Sequence, residues 1–221
     1  MTNIEKVEQD LLLSKLMCIF RVNDIEVQTI VDASKACVEN GAKFIEITYN
    51  HQEYEDKTFE VIQSVKKAVG QDIYVGCGTV LTVEEANKAI SAQSDFIVAP
   101  ILNLEVLKYA HDHDVFYMPG VMSATEAYEA YRNHAHIVKL FPTGELGVDY
   151  GKALMKPLGF IQYFAVGKMT LEFYEECLDA GFVGAGVSSS INSREILESK
   201  NYELIGSKVK EYVRIANKYN K

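Results

Sequence analysis

Eight short apolar runs recur along this chain, and each is followed by a stretch with helical periodicity. The runs are LMCIF (16–20), KFIEI (43–47), IYVGC (73–77), DFIVA (95–99), VFYM (115–118), HIVKLF (136–141), IQYFAV (161–166) and FVGAGV (182–187). They have strand length and are rich in β-branched and aromatic residues. Between them the spacing predicts helices over 26–39, 55–69, 83–92, 104–111, 124–131 and 171–180. Ile205, Val209 and Val213 stand at i, i+4 and i+8, so a final helix is expected after Asn201. Thr82 and Thr170 stand where N-caps belong, Glu85 completes a capping box with Thr82, and Gly181 suits a helix C-terminus. Eight strand–helix units in this length predict a (β/α)8 TIM barrel. A doubly wound open sheet is the alternative, but it usually carries fewer strands, and no GxGxxG opens a helix after the first run. No Pro-, Ser- or Gly-rich linker divides the chain, so residues 1–221 are expected to form one domain.

Composition narrows the partners. A net charge of −9 argues against nucleic acid and anionic membranes, and leaves small molecules. No apolar run approaches a membrane span, and the start MTNIEKVEQD has no signal-peptide pattern. The cysteines Cys18, Cys37, Cys77 and Cys177 form no C-x-x-C pair, which suits reduced thiols in a cytoplasmic protein. Cys18 and Cys77 fall in strand-like runs, where they read as small hydrophobes.

Strand alternation then selects candidate site residues, because side chains two apart share a face and barrel chemistry gathers at the C-terminal strand ends. Lys139 lies inside the apolar run, on the face of Ile137 and Phe141. A buried ammonium is costly, so two readings stand: a carboxylate or the strand end holds the charge, or the pKa falls and the neutral amine is a nucleophile for ketones. Glu46 shares a face with Phe44 and Thr48, and Arg21 with Ile19 and Met17. Thr79 is expected to share one with Val75 and Cys77. A lysine, a glutamate, an arginine and two threonines in one pocket suit a Schiff base on a 2-keto acid. Glu46 would move protons, Arg21 would hold a carboxylate, and Thr48 and Thr79 would donate hydrogen bonds. The turn GAGVSSS (184–190) offers N–H groups and hydroxyls to a phosphate, and Lys168 either adds charge there or is a solvated loop lysine. The histidine pairs His111/His113 and His134/His136 lack further nearby ligands in a zinc pattern and fall at the opposite pole, so no metal is expected.

From about residue 15 to 191 the chain resembles the class I aldolases that cleave 2-dehydro-3-deoxy-6-phosphogluconate to pyruvate and glyceraldehyde 3-phosphate. The resemblance rests on CIFRV (18–22), GAKFIEITYN (41–50), GCGTVLT (76–82), FIVAP (96–100), VFYMPGVMSATEA (115–127), IVKLFP (137–142) and DAGFVGAGVSS (179–189). It implies a cofactor-free enzyme with Lys139 as Schiff-base residue, Glu46 as general acid/base and Thr79 at the pyruvate moiety. Phosphate would bind around Gly186 and Ser189, with Gly167 and Lys168 beside it. Pro100 and Phe141 complete the implied substrate-binding set, and a homotrimer is implied as well. Three segments depart from the pattern. Asn50 stands where many members have arginine, leaving the carboxylate to Arg21; AVGK replaces PTGG, placing Val166 and Lys168; and Ser188 replaces a glycine. Asn50 and the FAVG run resemble the sister enzyme acting on the 4-epimer, 2-dehydro-3-deoxy-6-phosphogalactonate. Valine cannot hydrogen-bond a C4 hydroxyl, which tilts the expectation toward that epimer or toward relaxed stereochemistry. Cleavage of 4-hydroxy-2-oxoglutarate, a metal-dependent pyruvate aldolase and a non-catalytic phosphosugar-binding barrel remain as alternatives.

Overall fold

The structure, a computed structural model, describes residues 1–51 and 55–220. The eight apolar runs form β1 (Leu16–Arg21), β2 (Phe44–Thr48), β3 (Tyr74–Gly78), β4 (Phe96–Val98), β5 (Phe116–Met118), β7 (Ile137–Leu140), β8 (Gln162–Val166) and β9 (Gly184–Val187), and a short strand outside them, β6 (Gly120–Val121), follows β5. All pairings are parallel, in the order β5-β4-β3-β2-β1-β9-β8-β7-β6. β5 and β6 are two halves of one stave, broken at Pro119, which has no N–H to give the ladder. On one side Ala99 N donates to Met118 O at 3.1 Å, and on the other Lys139 N donates to Pro119 O at 2.8 Å. The sheet therefore closes through this stave into the expected (β/α)8 barrel.

The helices are α1 (Asn3–Ser14), α2 (Val27–Glu39), α3 (Glu55–Val69), α4 (Val83–Ser91), α5 (Leu104–Asp112), α6 (Ala124–Arg132), α7 (Thr143–Leu146), α8 (Val148–Met155), α9 (Leu171–Asp179), α10 (Ser189–Asn192), α11 (Arg194–Glu198) and α12 (Tyr202–Lys218). The expected caps form: Glu85 N donates to Thr82 Oγ1 at 3.2 Å, and Phe173 N to Thr170 Oγ1 at 3.2 Å. Gly181 takes φ +100° just past α9, where a side chain would be strained. Helix α1 is an addition to the sequence reading. Thr2 and Glu5 form its capping box, and the carboxylate of Asp114 accepts from Asn3 N at 2.9 Å and Ile4 N at 3.2 Å.

Alternation along the strands divides the interior in two. Outward positions such as Cys18, Ile45, Val75, Cys77, Ile97 and Val138 pack against the helices. Inward positions Met17, Ile19, Phe44, Tyr74, Phe96, Met118, Ile137 and Phe164 fill the barrel, with Val7 and Leu11 of α1 closing its N-terminal pole. Each such fully buried side chain contributes about 1.5–3 kcal/mol. The four cysteines are buried free thiols.

One expectation is corrected here. Thr79 does not share a face with Val75 and Cys77, which turn outward to the helices. The inward positions of β3 are Tyr74, Gly76 and Gly78. Thr79 reaches the barrel mouth because it lies past the strand with φ +62°, a left-handed step that breaks the alternation. Among the described residues no helix is long and apolar enough to cross a membrane. Nor do three or more His, Cys, Asp or Glu side chains among them gather to hold a metal ion. His111 and His134 lie ring to ring at 6.4 Å, and His136 Nδ1 lies 3.6 Å from Glu8 Oε1 of α1, at the N-terminal pole.

Candidate active site

The C-terminal strand ends surround a cavity of about 350 Å³. Its wall contains Lys139, Glu46, Arg21, Thr48, Thr79, Pro100 and Phe141 at one end. Val166, Gly167, Lys168, Gly186, Ser188 and Ser189 form the other. Asn50 lies instead in an adjoining hollow of about 280 Å³, which shares Arg21, Thr48 and Thr79 with the cavity. Beyond Thr48 the chain is drawn along β3, with Tyr49 N donating to Gly78 O at 2.8 Å, so Asn50 falls to the side. Ile19 and Met169 also line the cavity and were not among the candidates.

Glu46 and Lys139 are both almost fully buried, at 2% and 6% exposure. They line the cavity from strands that do not pair with each other: Glu46 pairs with Ile19 of β1 and Gly76 of β3, while Lys139 pairs with Gly120 of β6 and Phe164 of β8. A Cβ on Gly78 would come within 1.9 Å of Glu46 Oε1, and one on Gly76 within 2.4 Å of the Phe96 ring. The two glycines of GCGT therefore make room, one for a carboxylate and one for the aromatic layer beneath it. No sequence pattern marks Gly78 as the seat of Glu46, because the carboxylate arrives from another strand.

Burial pushes the Glu46 carboxyl above its usual range, against the opposing pull of Lys139, Arg21 and the Thr48 hydroxyl. Oε2 of Glu46 is buried without a hydrogen-bond partner, an uncommon state for a carboxylate. Burial likewise lowers the Lys139 ammonium; the Glu46 charge opposes this and the Arg21 charge adds to it. The Lys139 Nζ lies 5.1 Å from the centroid of the Phe141 ring. Each group is thus shifted toward its neutral form, the arrangement expected of a nucleophilic amine beside a proton carrier.

The opposite end is built from two turns. Gly167 has φ +123° and Lys168 φ +46°. The Lys168 ammonium is 2.8 Å from Glu145 Oε1 of α7, in a largely exposed ion pair. Gly144 permits this approach, since a Cβ there would come within 2.5 Å of Gly167 O. Thr143 locks the β7 and β8 ends together, donating to Leu140 O at 2.6 Å and accepting from Val166 N at 3.2 Å. Ser190 Oγ donates to Met169 O at 2.7 Å, joining the last glycine-rich turn to the Lys168 turn. Val166 is inward-facing and 8% exposed, presenting only methyl groups to the cavity.

Comparison with known proteins agrees with this geometry. The chain is 33% identical over 157 residues to the 2-dehydro-3-deoxy-6-phosphogalactonate aldolase of Escherichia coli K12, covering 71% of this chain and 75% of that protein. It is 33% identical over 146 residues to the 2-dehydro-3-deoxy-phosphogluconate aldolase of Treponema pallidum, covering 66% and 67%. A solved structure described as native KDPGal superposes with a TM-score of 0.81 at 28% identity, covering 92% of this chain and 95% of that one. The family model for KDPG and KHG aldolases matches residues 7–208, and the chain belongs to that aldolase family.

Proposed function

We propose that this chain is a class I aldolase that cleaves a 2-keto-3-deoxy-6-phosphosugar acid to pyruvate and glyceraldehyde 3-phosphate. The observation that carries the reading is the buried pair Lys139 and Glu46, each shifted toward its neutral form within one cavity. In this mechanism the Lys139 amine adds to the C2 carbonyl and water leaves, giving an iminium. Glu46 takes the proton of the C4 hydroxyl as the C3–C4 bond breaks, and the bonding electrons move into the iminium. The aldehyde departs, the resulting enamine is protonated at C3, and water then releases pyruvate from Lys139. Arg21 and Thr79 hold the carboxylate end, Thr48 steadies Glu46, and Gly167, Lys168, Gly186, Ser188 and Ser189 receive the phosphate. Pro100, Phe141 and Val166 supply apolar wall to the cavity, and Asn50 borders it from the adjoining hollow. The methyl groups of Val166 favour the galactonate epimer or a relaxed choice at C4. The protein is read as cytoplasmic, in keeping with its buried free thiols, and as a homotrimer.

Borohydride reduction in the presence of pyruvate, followed by intact mass and peptide mapping, tests the reading. A single reduced pyruvyl adduct on Lys139 is expected, with none in Lys139→Met; a folded wild-type protein without an adduct would remove the mechanism. A second reading, cleavage of the non-phosphorylated 4-hydroxy-2-oxoglutarate, is favoured by the Glu145 carboxylate paired with Lys168 at the phosphate end. Comparable kcat/KM for that acid and for the phosphorylated epimers would establish it.

A further inference from the structure

The turn that delivers Thr79 to the cavity is strained. A β-branched residue at φ +62° is an outlier that persists only where its surroundings hold it. Three bonds do so. Gly78 O accepts from Tyr49 N at 2.8 Å, and Val80 N donates to Val98 O at 3.2 Å. The third contact comes from a side chain: His51 Nε2 lies 3.0 Å from Thr79 O. A carbonyl oxygen only accepts, so Nε2 carries the hydrogen in this bond.

His51 is itself fixed from two directions. Its Nδ1 lies 3.1 Å from Glu85 Oε1, and its ring meets Tyr49 edge-on at 4.6 Å. Glu85 is anchored in turn, because Oε2 accepts from Leu81 N at 2.6 Å and Thr82 N at 3.2 Å in the capping box of α4. A line of contacts therefore runs from the start of α4 through Glu85 and His51 to the Thr79 carbonyl. The hollow beside it is lined by His51, Thr79 and Arg21 together.

We propose that His51 is a positioning residue that holds Thr79 in its left-handed geometry, and so aligns the hydroxyl that receives the carboxylate end of the keto acid. This role rests on the aldolase reading of the same cavity. His51 touches Thr79 through the backbone and acts through it. In His51→Leu the turn keeps its two backbone bonds but loses its side-chain brace, and Thr79 samples relaxed conformations that misplace its hydroxyl.

The test is the pyruvate dependence of borohydride trapping, together with KM and kcat for cleavage, in wild type, His51→Leu, His51→Gln and Glu85→Gln. In His51→Leu the half-saturating pyruvate concentration and KM are expected to rise about tenfold, the size of one well-placed hydrogen bond. Saturating adduct on Lys139 and the thermal midpoint should stay near wild type, since His51 is exposed and outside the core. His51→Gln should recover most of the loss, because its Nε2 can donate to the same carbonyl. Glu85→Gln should fall between, since its amide oxygen can keep the cap while the carboxylate contact with His51 Nδ1 is lost. Unchanged saturation in His51→Leu, or no rescue in His51→Gln, overturns the role of His51 alone. A wild-type protein that traps no pyruvate overturns the aldolase reading and this role with it.

Discussion

At the residue scale, the proposed chemistry rests on two buried groups whose neutral forms burial favours and whose mutual attraction opposes it. Burial lowers the Lys139 pKa, Glu46 opposes that fall, and Arg21 reinforces it. The signs give two opposite expectations for the pH profile of pyruvate trapping, which follows the neutral amine. Removing the carboxylate in Glu46→Gln removes the influence that raises the lysine, so the rise in trapping shifts to lower pH. Removing the cation in Arg21→Ala removes an influence that lowers it, so the rise shifts to higher pH. Wild type lies between the two, with its rise below the ordinary lysine value of 10.5. Shifts in the same direction would show that Lys139 does not sense these neighbours as buried geometry requires. Cleavage adds an acid limb. The Glu46 carboxyl is raised above 4.5, and proton abstraction needs its ionised form, so kcat/KM should fall as pH drops through that raised value.

At the element scale, α1 is a stopper rather than an appendage. Leu11 is fully buried and packs with Met17, Phe44 and Phe96 inside the barrel, at the end opposite the cavity. Leu11→Ala should therefore cost about 2–5 kcal/mol, as a cavity in a core does, read as a lower urea midpoint with unchanged slope. A loss under about 0.5 kcal/mol would mark α1 as a surface helix. Its signal was present in the sequence: Thr2 and Glu5 have the same spacing as Thr82 and Glu85, and Val7 and Leu11 are four apart. Charged residues dominate the segment, however, and its apolar stripe has meaning only once the barrel exists to receive it. Helices α2, α3, α4, α5, α6, α9 and α12 were legible because each repeats its period over two turns or more; α8, at eight residues, was not among the predicted helices. The short helices α7, α10 and α11 have four or five residues, too few to display a period. In the site, Lys139, Glu46 and Arg21 were legible because they obey strand alternation. The true placing of Thr79 was not, because a left-handed step resets the count. His51 and Gly78 act through contacts with residues about thirty positions away, which no local pattern encodes.

For the whole molecule, the question is what covers the apolar side chains at the catalytic rim. Ile101 and Met122 are 49% and 51% exposed, although both are large and apolar. Both stand at the C-terminal strand ends: Gly120 N donates to Ile101 O at 3.2 Å, and Tyr150 OH donates to Met122 O at 2.5 Å. Two large apolar side chains exposed at the same end of the barrel suit a contact surface there. A homotrimer would bury it three times by a head-to-tail contact that closes on itself. Ile101 directly follows Pro100, which lines the cavity, so assembly would also brace that wall. Sedimentation should accordingly give the mass of three chains for wild type, and Met122→Glu should dissociate it by burying an unpaired charge in each of three interfaces. The dissociated variant should keep its fold but lose kcat/KM as the Pro100 wall loosens. A wild-type monomer would refute the assembly. A Met122→Glu trimer of unaltered stability would move the contact away from this rim, and with it the proposed link between assembly and the cavity wall.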